Sequence, residues 1–275
     1  MAEHHRTRLV AAGVTKRFAG GGRRPSHVAV DGVDLAIEAG RSIGIVGESG
    51  SGKSTLARLF LGLTSPSDGR IELDGEDLTE ILSVRSRLVA FRRRVQFVAQ
   101  DTTSSFDPRR SLGDTLARPA RELLGMNGSD SAALAVRTVA RLGLDPAMLS
   151  RLPGQVSGGQ RQRFSLARAL VVQPDVLVCD EVVSALDVSV QGAILNLLCD
   201  IRDEFGTSIV FVSHGLPATA FIADEIAVMY RGRLVEHGPT EQVVEHPQHD
   251  YTRRLLAAQT GPGDADAVLT AGVTP

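Results

Sequence analysis

No tryptophan occurs in the 275 residues, and aromatic side chains make up only 4% of them. A surface that stacks successive nucleic-acid bases needs several exposed rings, so this class of binder is disfavoured. Charge of one sign is not in excess either. The net charge is −2 with Lys and Arg scattered along the chain, which leaves no basic footprint for nucleic acid and no strongly charged face for a membrane. Cysteine is nearly missing. The two present, Cys179 and Cys199, have neither metal-ligand spacing nor a disulfide framework and read as small buried hydrophobes. No apolar run reaches the ~18 residues of a membrane span, and the N-terminal Met-Ala-Glu-His-His-Arg lacks a signal peptide's apolar core. The expectation is a chain that stays in the cytosol. Internal repeats and a sustained heptad pattern are absent as well, which argues against a long coiled-coil insertion.

What is present is enough for a core: 43% of the residues are hydrophobic. The first ~80 residues read as β-rich, with short apolar or alternating runs at Leu9–Phe18, His27–Glu38, Ile43–Val46 and Arg70–Leu73. A loop is expected at Ala19–Pro25. From about Ser111 to Arg151 the spacing turns helical, with Ala132, Ala135, Val136 and Val139 on one face. Beyond it a helix is expected over Ser157–Val172 and a strand at Val176–Cys179. An amphipathic helix carrying Val190, Ile194, Leu197, Leu198, Ile201 and Phe205 comes next, then a strand at Ser208–Val212. Ile226–Tyr230 and Arg233–Val235, separated by Arg231-Gly232, read as a hairpin. Alternating strand and helix after a β-rich start predicts an α/β fold, a parallel sheet flanked by helices plus an antiparallel layer. Residues 261–275, rich in Gly, Ala, Thr and Pro, are expected to be a disordered tail.

The chemistry begins at Gly47, Glu48, Ser49, Gly50, Ser51, Gly52, Lys53, Ser54 and Thr55, between an apolar strand and a helical run. This is a phosphate-binding loop in its strand–loop–helix context. Its glycines let backbone N–H groups close on phosphate oxygens at a helix N-terminus. Lys53 is expected to reach the β- and γ-phosphates, Ser54 to ligate Mg²⁺, and Thr55 to touch the phosphates nearer the base. Asp180 and Glu181 end an apolar strand in two carboxylates, where a parallel sheet delivers residues to its ligand edge. Asp180 fits a Mg²⁺ partner and Glu181 a general base for an attacking water. Ser157, Gly158, Gly159 and Gln160 open a helix of their own, with Ser157 as its cap. Two phosphate-facing helix ends in one chain suggest two chains, each donating this terminus to the other's nucleotide.

Together these residues resemble one family, the ATP-binding cassette (ABC) ATPases. The loop at 47–55, Gln100 after Val95-Gln-Phe-Val-Ala, Val156-Ser-Gly-Gly-Gln160, Asp180-Glu181, Ser184-Ala-Leu-Asp187 and His214 all stand in family order. The resemblance covers about residues 8 to 256. It implies a P-loop NTPase core with a mostly parallel sheet, an N-terminal antiparallel β layer and a helical subdomain inserted at about 101–172, all within residues 1–260. It also implies ATP and Mg²⁺ as ligands. Phe18 resembles the aromatic that stacks on adenine, with a strand-end core residue as the alternative. Gln100 resembles the residue that touches Mg²⁺ and the attacking water and reports nucleotide state to a membrane partner. Asp187 matches a residue that communicates across the dimer and also suits the cap of the helix starting near Val188. His214 resembles the switch histidine on the γ-phosphate.

Ala29-Val-Asp31, Gln100-Asp101 with Ser105-Phe-Asp-Pro108-Arg109, Val183 to Gln191 and His246-Pro-Gln-His249-Asp-Tyr251-Thr-Arg253 resemble the oligopeptide, dipeptide and nickel importer subfamily. Departures from its pattern are Asp250 for Pro, Val182 for Pro, Gly215 for Asp and Val156 for Leu. Some relatives carry a C-terminal cysteine cluster for an iron–sulfur centre, and with no cysteine beyond 199 none is expected here. The implied role is an ATPase at the cytoplasmic face of a membrane, peripheral to transmembrane permease subunits. A second ATPase subunit, the same or related, and indirectly an extracytoplasmic solute-binding protein would complete the system. No nucleic acid is expected. The alternatives are a non-transport ATPase of a metabolic complex such as phosphonate degradation, or a regulatory nucleotide-binding module, against which Glu181 and His214 argue.

Overall fold

The computed structural model describes residues 7–20, 26–101, 104–184 and 187–259, excepting the side chains of 188, 189 and 259. Most of the expected loop at Ala19–Pro25, Ala185 and Leu186 of the Ser184–Asp187 motif, and the expected tail at 261–275 lie outside the described residues. The elements begin β1 (Leu9–Phe18), β2 (His27–Ile37), β3 (Ile43–Val46), α1 (Lys53–Phe60), β4 (Asp68–Leu73), β5 (Glu76–Asp77), α2 (Leu78–Ser83), α3 (Arg85–Arg94) and β6 (Val95–Val98). They continue α4 (Leu112–Leu124), α5 (Gly128–Arg141), α6 (Gly158–Leu170), β7 (Val176–Asp180), α7 (Val188–Phe205) and β8 (Ser208–Ser213). Last come α8 (Leu216–Ile222), β9 (Glu225–Tyr230), β10 (Arg233–Pro239), α9 (Thr240–Glu245) and α10 (Asp250–Gln259).

Two compact bodies result. One is built from the chain through Thr79 together with the chain from Ser208, the other from Glu80–Thr207. In the first body β2, β1, β4 and β5 form an antiparallel sheet in that order. Its register, with Leu9 opposite both Ile37 and Leu73, places these three side chains in the core. The same body carries β3 between β8 and β9, parallel to both, with β10 antiparallel beyond β9. Every residue of β3 and of β8 is buried, as a parallel strand covered on both faces requires. Helix α8 packs so closely on β3 that a Cβ at Gly44 would lie 2.0 Å from Thr219 Cγ2. The β9–β10 turn sits at Arg231-Gly232, with φ of 49° and 83°, the left-handed pair of a tight hairpin.

In the second body β6 and β7 run parallel, Val98 opposite Cys179. Its helices are stopped and started by side chains the sequence supplies. Ser111 accepts from the Asp114 N–H to cap α4, Asn127 from the Asp130 N–H to cap α5, and Gly125 ends α4 in the left-handed conformation. Ala120 of α4 and Val171 and Val172 after α6 form a core patch that Leu123, Leu124, Met126 and Leu134 cover. Helix α3 was not foreseen. Its sequence Arg-Ser-Arg-Leu-Val-Ala-Phe-Arg-Arg-Arg buries only Phe91, so no apolar period marks it, and Arg94 ties its end to Asp175 at 2.8 Å.

Candidate functional site

In the first body the phosphate loop leaves the buried end of β3. Val46 is paired with Ser213 of β8, so Gly47 and His214 each stand one residue past the aligned ends of neighbouring parallel strands. That is the sheet edge where such folds place their ligands. The loop passes hard against other backbone: a Cβ on Gly47 would sit 2.2 Å from the Met229 carbonyl oxygen, and one on Gly52 2.2 Å from that of Ala29. With φ of 154° and 107°, both positions demand glycine for conformation as well as room. Helix α1 then starts at Lys53 with no side-chain cap on Gly52 and no acidic residue in its first turn, an N-terminus suited to an anion.

Lys53 is only 4% exposed. Its ammonium donates to the carbonyl oxygens of Gly47 at 2.7 Å and Glu48 at 2.9 Å, curling the loop around its own cation. The Ser51 hydroxyl is buried without a hydrogen-bond partner in the protein. A polar occupant such as a phosphate fits a loop built this way. The sequence reading missed one residue of this half. Tyr251 of α10 accepts a hydrogen bond from the Glu48 N–H at 2.8 Å; the motif around it is distinctive, but nothing in its spacing says which loop the hydroxyl reaches.

His214 is exposed beyond β8. The turn after it is held by the Ser213 hydroxyl, which accepts from the Gly215 N–H at 3.0 Å, and by Thr219, which donates to the Gly215 carbonyl at 2.7 Å. Glycine at 215 thus leaves the segment tethered by its neighbours. Phe18, at the end of β1, is 45% exposed with the Lys16 ammonium 5.3 Å from its ring centroid, so it is not the core residue that the sequence also allowed.

In the second body Asp180 ends β7 and is buried, and Glu181 follows at φ 50°, a left-handed conformation that a non-glycine residue adopts at a cost. Gln100, two residues beyond β6, donates from Nε2 to Glu181 Oε2 at 3.0 Å and to Ser184 Oγ at 3.1 Å. Ser184 Oγ donates in turn to the Glu181 carbonyl at 2.9 Å. Gln100 and Glu181, far apart in sequence, are therefore brought together, and Ser184, to which no separate role is assigned from sequence, joins them. Burial, and then the Asp180 charge, push the Cys179 thiol far up, which keeps it an inert part of the strand.

The second glycine-bearing terminus is also in this body. Ser157 Oγ accepts from the Gln160 N–H at 3.2 Å and Gln160 Oε1 accepts from the Ser157 N–H at 2.9 Å, a capping box that presets the start of α6. Gly158 is exposed and Gly159 half-buried, and a Cβ at Gly159 would lie 3.0 Å from Val190 Cγ1. Asp187 stands at the cap position of α7, exposed and with no capping hydrogen bond from its side chain.

Among the described residues no group of three or more His, Cys, Asp or Glu could hold a metal. Mg²⁺ keeps several waters and takes only one or two carboxylates plus substrate phosphates; the Ser54 hydroxyl in the first body and, separately, the buried Asp180 carboxylate in the second are each hard oxygen donors of the kind it uses.

The chain also resembles known proteins over most of its length. The chain is 43% identical over 241 residues to the "Probable peptide ABC transporter ATP-binding protein y4tS" of Sinorhizobium fredii, covering 88% of this chain and 68% of that one. It is 44% identical over 260 residues to the "Oligopeptide transport ATP-binding protein OppD" of Mycobacterium tuberculosis, covering 94% of this chain but only 41% of that protein. Among solved structures, the dimeric post-hydrolysis state of the ATP-binding cassette MJ0796, bound to ADP and Pi, superposes with a TM-score of 0.76 at 26% identity over 84% of this chain and 98% of that one. Residues 30–184, more than half of the 275, match the family described as ABC transporter. Both the site chemistry and these likenesses lead to one conclusion: the chain belongs to the ABC transporter family, as one of its ATP-hydrolysing cassettes.

Proposed function

We propose that this chain is the ATPase subunit that powers an importer, with peptides, nickel or another small solute as cargo. The observation that carries the reading is Glu181, presented at the end of β7 and fixed there by Gln100 and Ser184, in a chain whose phosphate loop is folded around Lys53. The relatives named for peptide and oligopeptide transport support the cargo class.

Lys53 takes the β- and γ-phosphates, with Thr55 and the amides of Ser49, Gly50, Ser51 and Gly52 around them, while Glu48 shapes the loop through its carbonyl bond to Lys53 and its N–H bond to Tyr251. Phe18 offers its ring to adenine. Ser54, Asp180 and Gln100 would hold Mg²⁺, which when bound neutralises charge on the β- and γ-oxygens. Glu181 accepts a proton from water as the water oxygen bonds to the γ-phosphorus. The bond to the bridging oxygen breaks, and its electron pair leaves with ADP. Gln100 orients that water and His214 contacts the γ-phosphate. A second chain, identical or related, lays its Ser157, Gly158, Gly159 and Gln160 against the same nucleotide in a head-to-tail dimer.

Closure drives transport only if ATP binds the closed dimer more tightly than the open one. Among the described residues no helix is long and apolar enough to cross a membrane, so the reading places the chain at the cytoplasmic face with transmembrane permease subunits as partners. An extracytoplasmic solute-binding protein would meet it only indirectly. Purification from membranes tests this: two multi-spanning chains should copurify, and recovery with soluble enzymes alone would refute import. For the chemistry, Glu181→Gln should retain ATP binding, lose at least about 100-fold in hydrolysis, and accumulate dimer in ATP by size-exclusion chromatography. Undiminished turnover would remove Glu181 from the mechanism.

A further inference from the structure

The phosphate loop is gripped from outside as well as from within. Lys53 holds the Gly47 carbonyl at 2.7 Å, and Tyr251 holds the Glu48 N–H at 2.8 Å. These are the two polar ends of one planar peptide unit. Gly47 at φ 154° has no side chain to restrain that plane, so the restraint falls to these two bonds.

The outer grip is itself anchored. Tyr251 is 6% exposed and its ring stacks on Tyr230 of β9, centroids 4.2 Å apart at 26°. Ahead of it, the Glu236 carboxylate of β10 accepts from the N–H groups of Gln248 at 2.7 Å and His249 at 3.0 Å. The Tyr251 N–H donates to His249 Nδ1 at 3.1 Å. Residues 248–251 are thereby fixed to β10, and the tyrosine hydroxyl is held against a loop 203 positions earlier in the chain.

We propose that Tyr251 is a positioning residue for nucleotide binding, keeping the Gly47–Glu48 peptide oriented when Lys53 transfers its ammonium from these carbonyls to a phosphate. The proposal rests on the reading of the loop as an ATP site. An ammonium has three donors, and Lys53 commits two of them to Gly47 and Glu48. A bound phosphate competes for them, and a carbonyl released by Lys53 would gain by turning away from the anion, taking its peptide with it. Tyr251 opposes that rotation because its bond is on the N–H end and is untouched by the transfer. The loop then closes on phosphate without first having to be reordered.

Calorimetric titration of the full chain with MgADP, which does not turn over, tests this. Tyr251→Phe keeps the ring and its stacking and removes only the acceptor. Its affinity should fall about three- to tenfold, the range for one lost hydrogen bond, with KM for ATP raised and kcat nearly unchanged. Tyr230→Phe, which alters the same ring pair away from the loop, should bind as the wild type does. A folded Tyr251→Phe chain with wild-type affinity overturns the proposal, even if its melting temperature is lower, because a merely structural tyrosine would give that result. Absence of saturable binding by the wild type would instead overturn the ATP reading, and this proposal with it.

Discussion

At the scale of single residues, the most informative backbone angle is that of Glu181. Its φ of 50° lies where an L-residue is disfavoured by roughly 1–2 kcal/mol, yet the conformation aims the carboxylate at Gln100. Comparing two truncations isolates that cost. Glu181→Gly should be more stable than Glu181→Ala by about 1 kcal/mol in urea unfolding, although both lose the carboxylate and both should fail to hydrolyse ATP. Equal stabilities would mean that the backbone at 181 is unstrained in solution. Lys53→Ala should abolish most nucleotide affinity in a direct ATP titration, since it removes the ammonium around which the loop folds. The chemical identity of these residues was legible in the sequence because a phosphate loop and a carboxylate pair are local patterns. The Gln100–Glu181–Ser184 contacts and the reach of Tyr251 were not, because they depend on how distant strand ends line up.

At the scale of elements, the weak point is the start of α8. Gly215 occupies its cap position without a capping side chain, and the Ser213 hydroxyl holds the turn instead. Ser213→Ala should cost roughly 0.5–1.5 kcal/mol and lower hydrolysis more than ATP binding, because the turn that carries His214 loses the Gly215 N–H bond. Gly215→Asp has room for its side chain, the nearest atom to an added Cβ being Ser213 Oγ at 3.7 Å, and should restore part of the loss by capping α8. A second dependence concerns β10 and α10. Burial opposes ionisation of Glu236, but the hydrogen bonds its carboxylate accepts, led by that from the Gln248 N–H, outweigh it, so its pKa is lowered. A lowered carboxylate contributes stability that is present above its unfolded pKa of about 4.3 and is lost as pH falls through the folded value. The wild type should therefore lose more stability than Glu236→Gln on acidification below about pH 4.3, as thermal melts would register. Periodicity revealed β3, β7, β8 and the β9–β10 hairpin because their apolar runs are continuous. It could not reveal α3, whose ten residues bury only Phe91, or α8, too short at seven residues to establish a period.

At the scale of the whole molecule, the functional groups divide between two bodies. The phosphate loop, Phe18, His214 and Tyr251 belong to one, and Gln100, Asp180, Glu181 and Ser157–Gln160 to the other. The overall class was legible because β-rich and alternating segments differ in pattern, whereas this grouping was not, since the first body is assembled from both ends of the chain. Its closing segment contributes more than fold. Tyr230 and Tyr251, stacked beside the phosphate loop, are the only two tyrosines in a chain without tryptophan. The protein's ultraviolet emission therefore comes almost wholly from one ring pair whose hydroxyl touches the Glu48 amide. Filling the loop should change that emission without any attached dye, so the cassette carries its own optical gauge of occupancy.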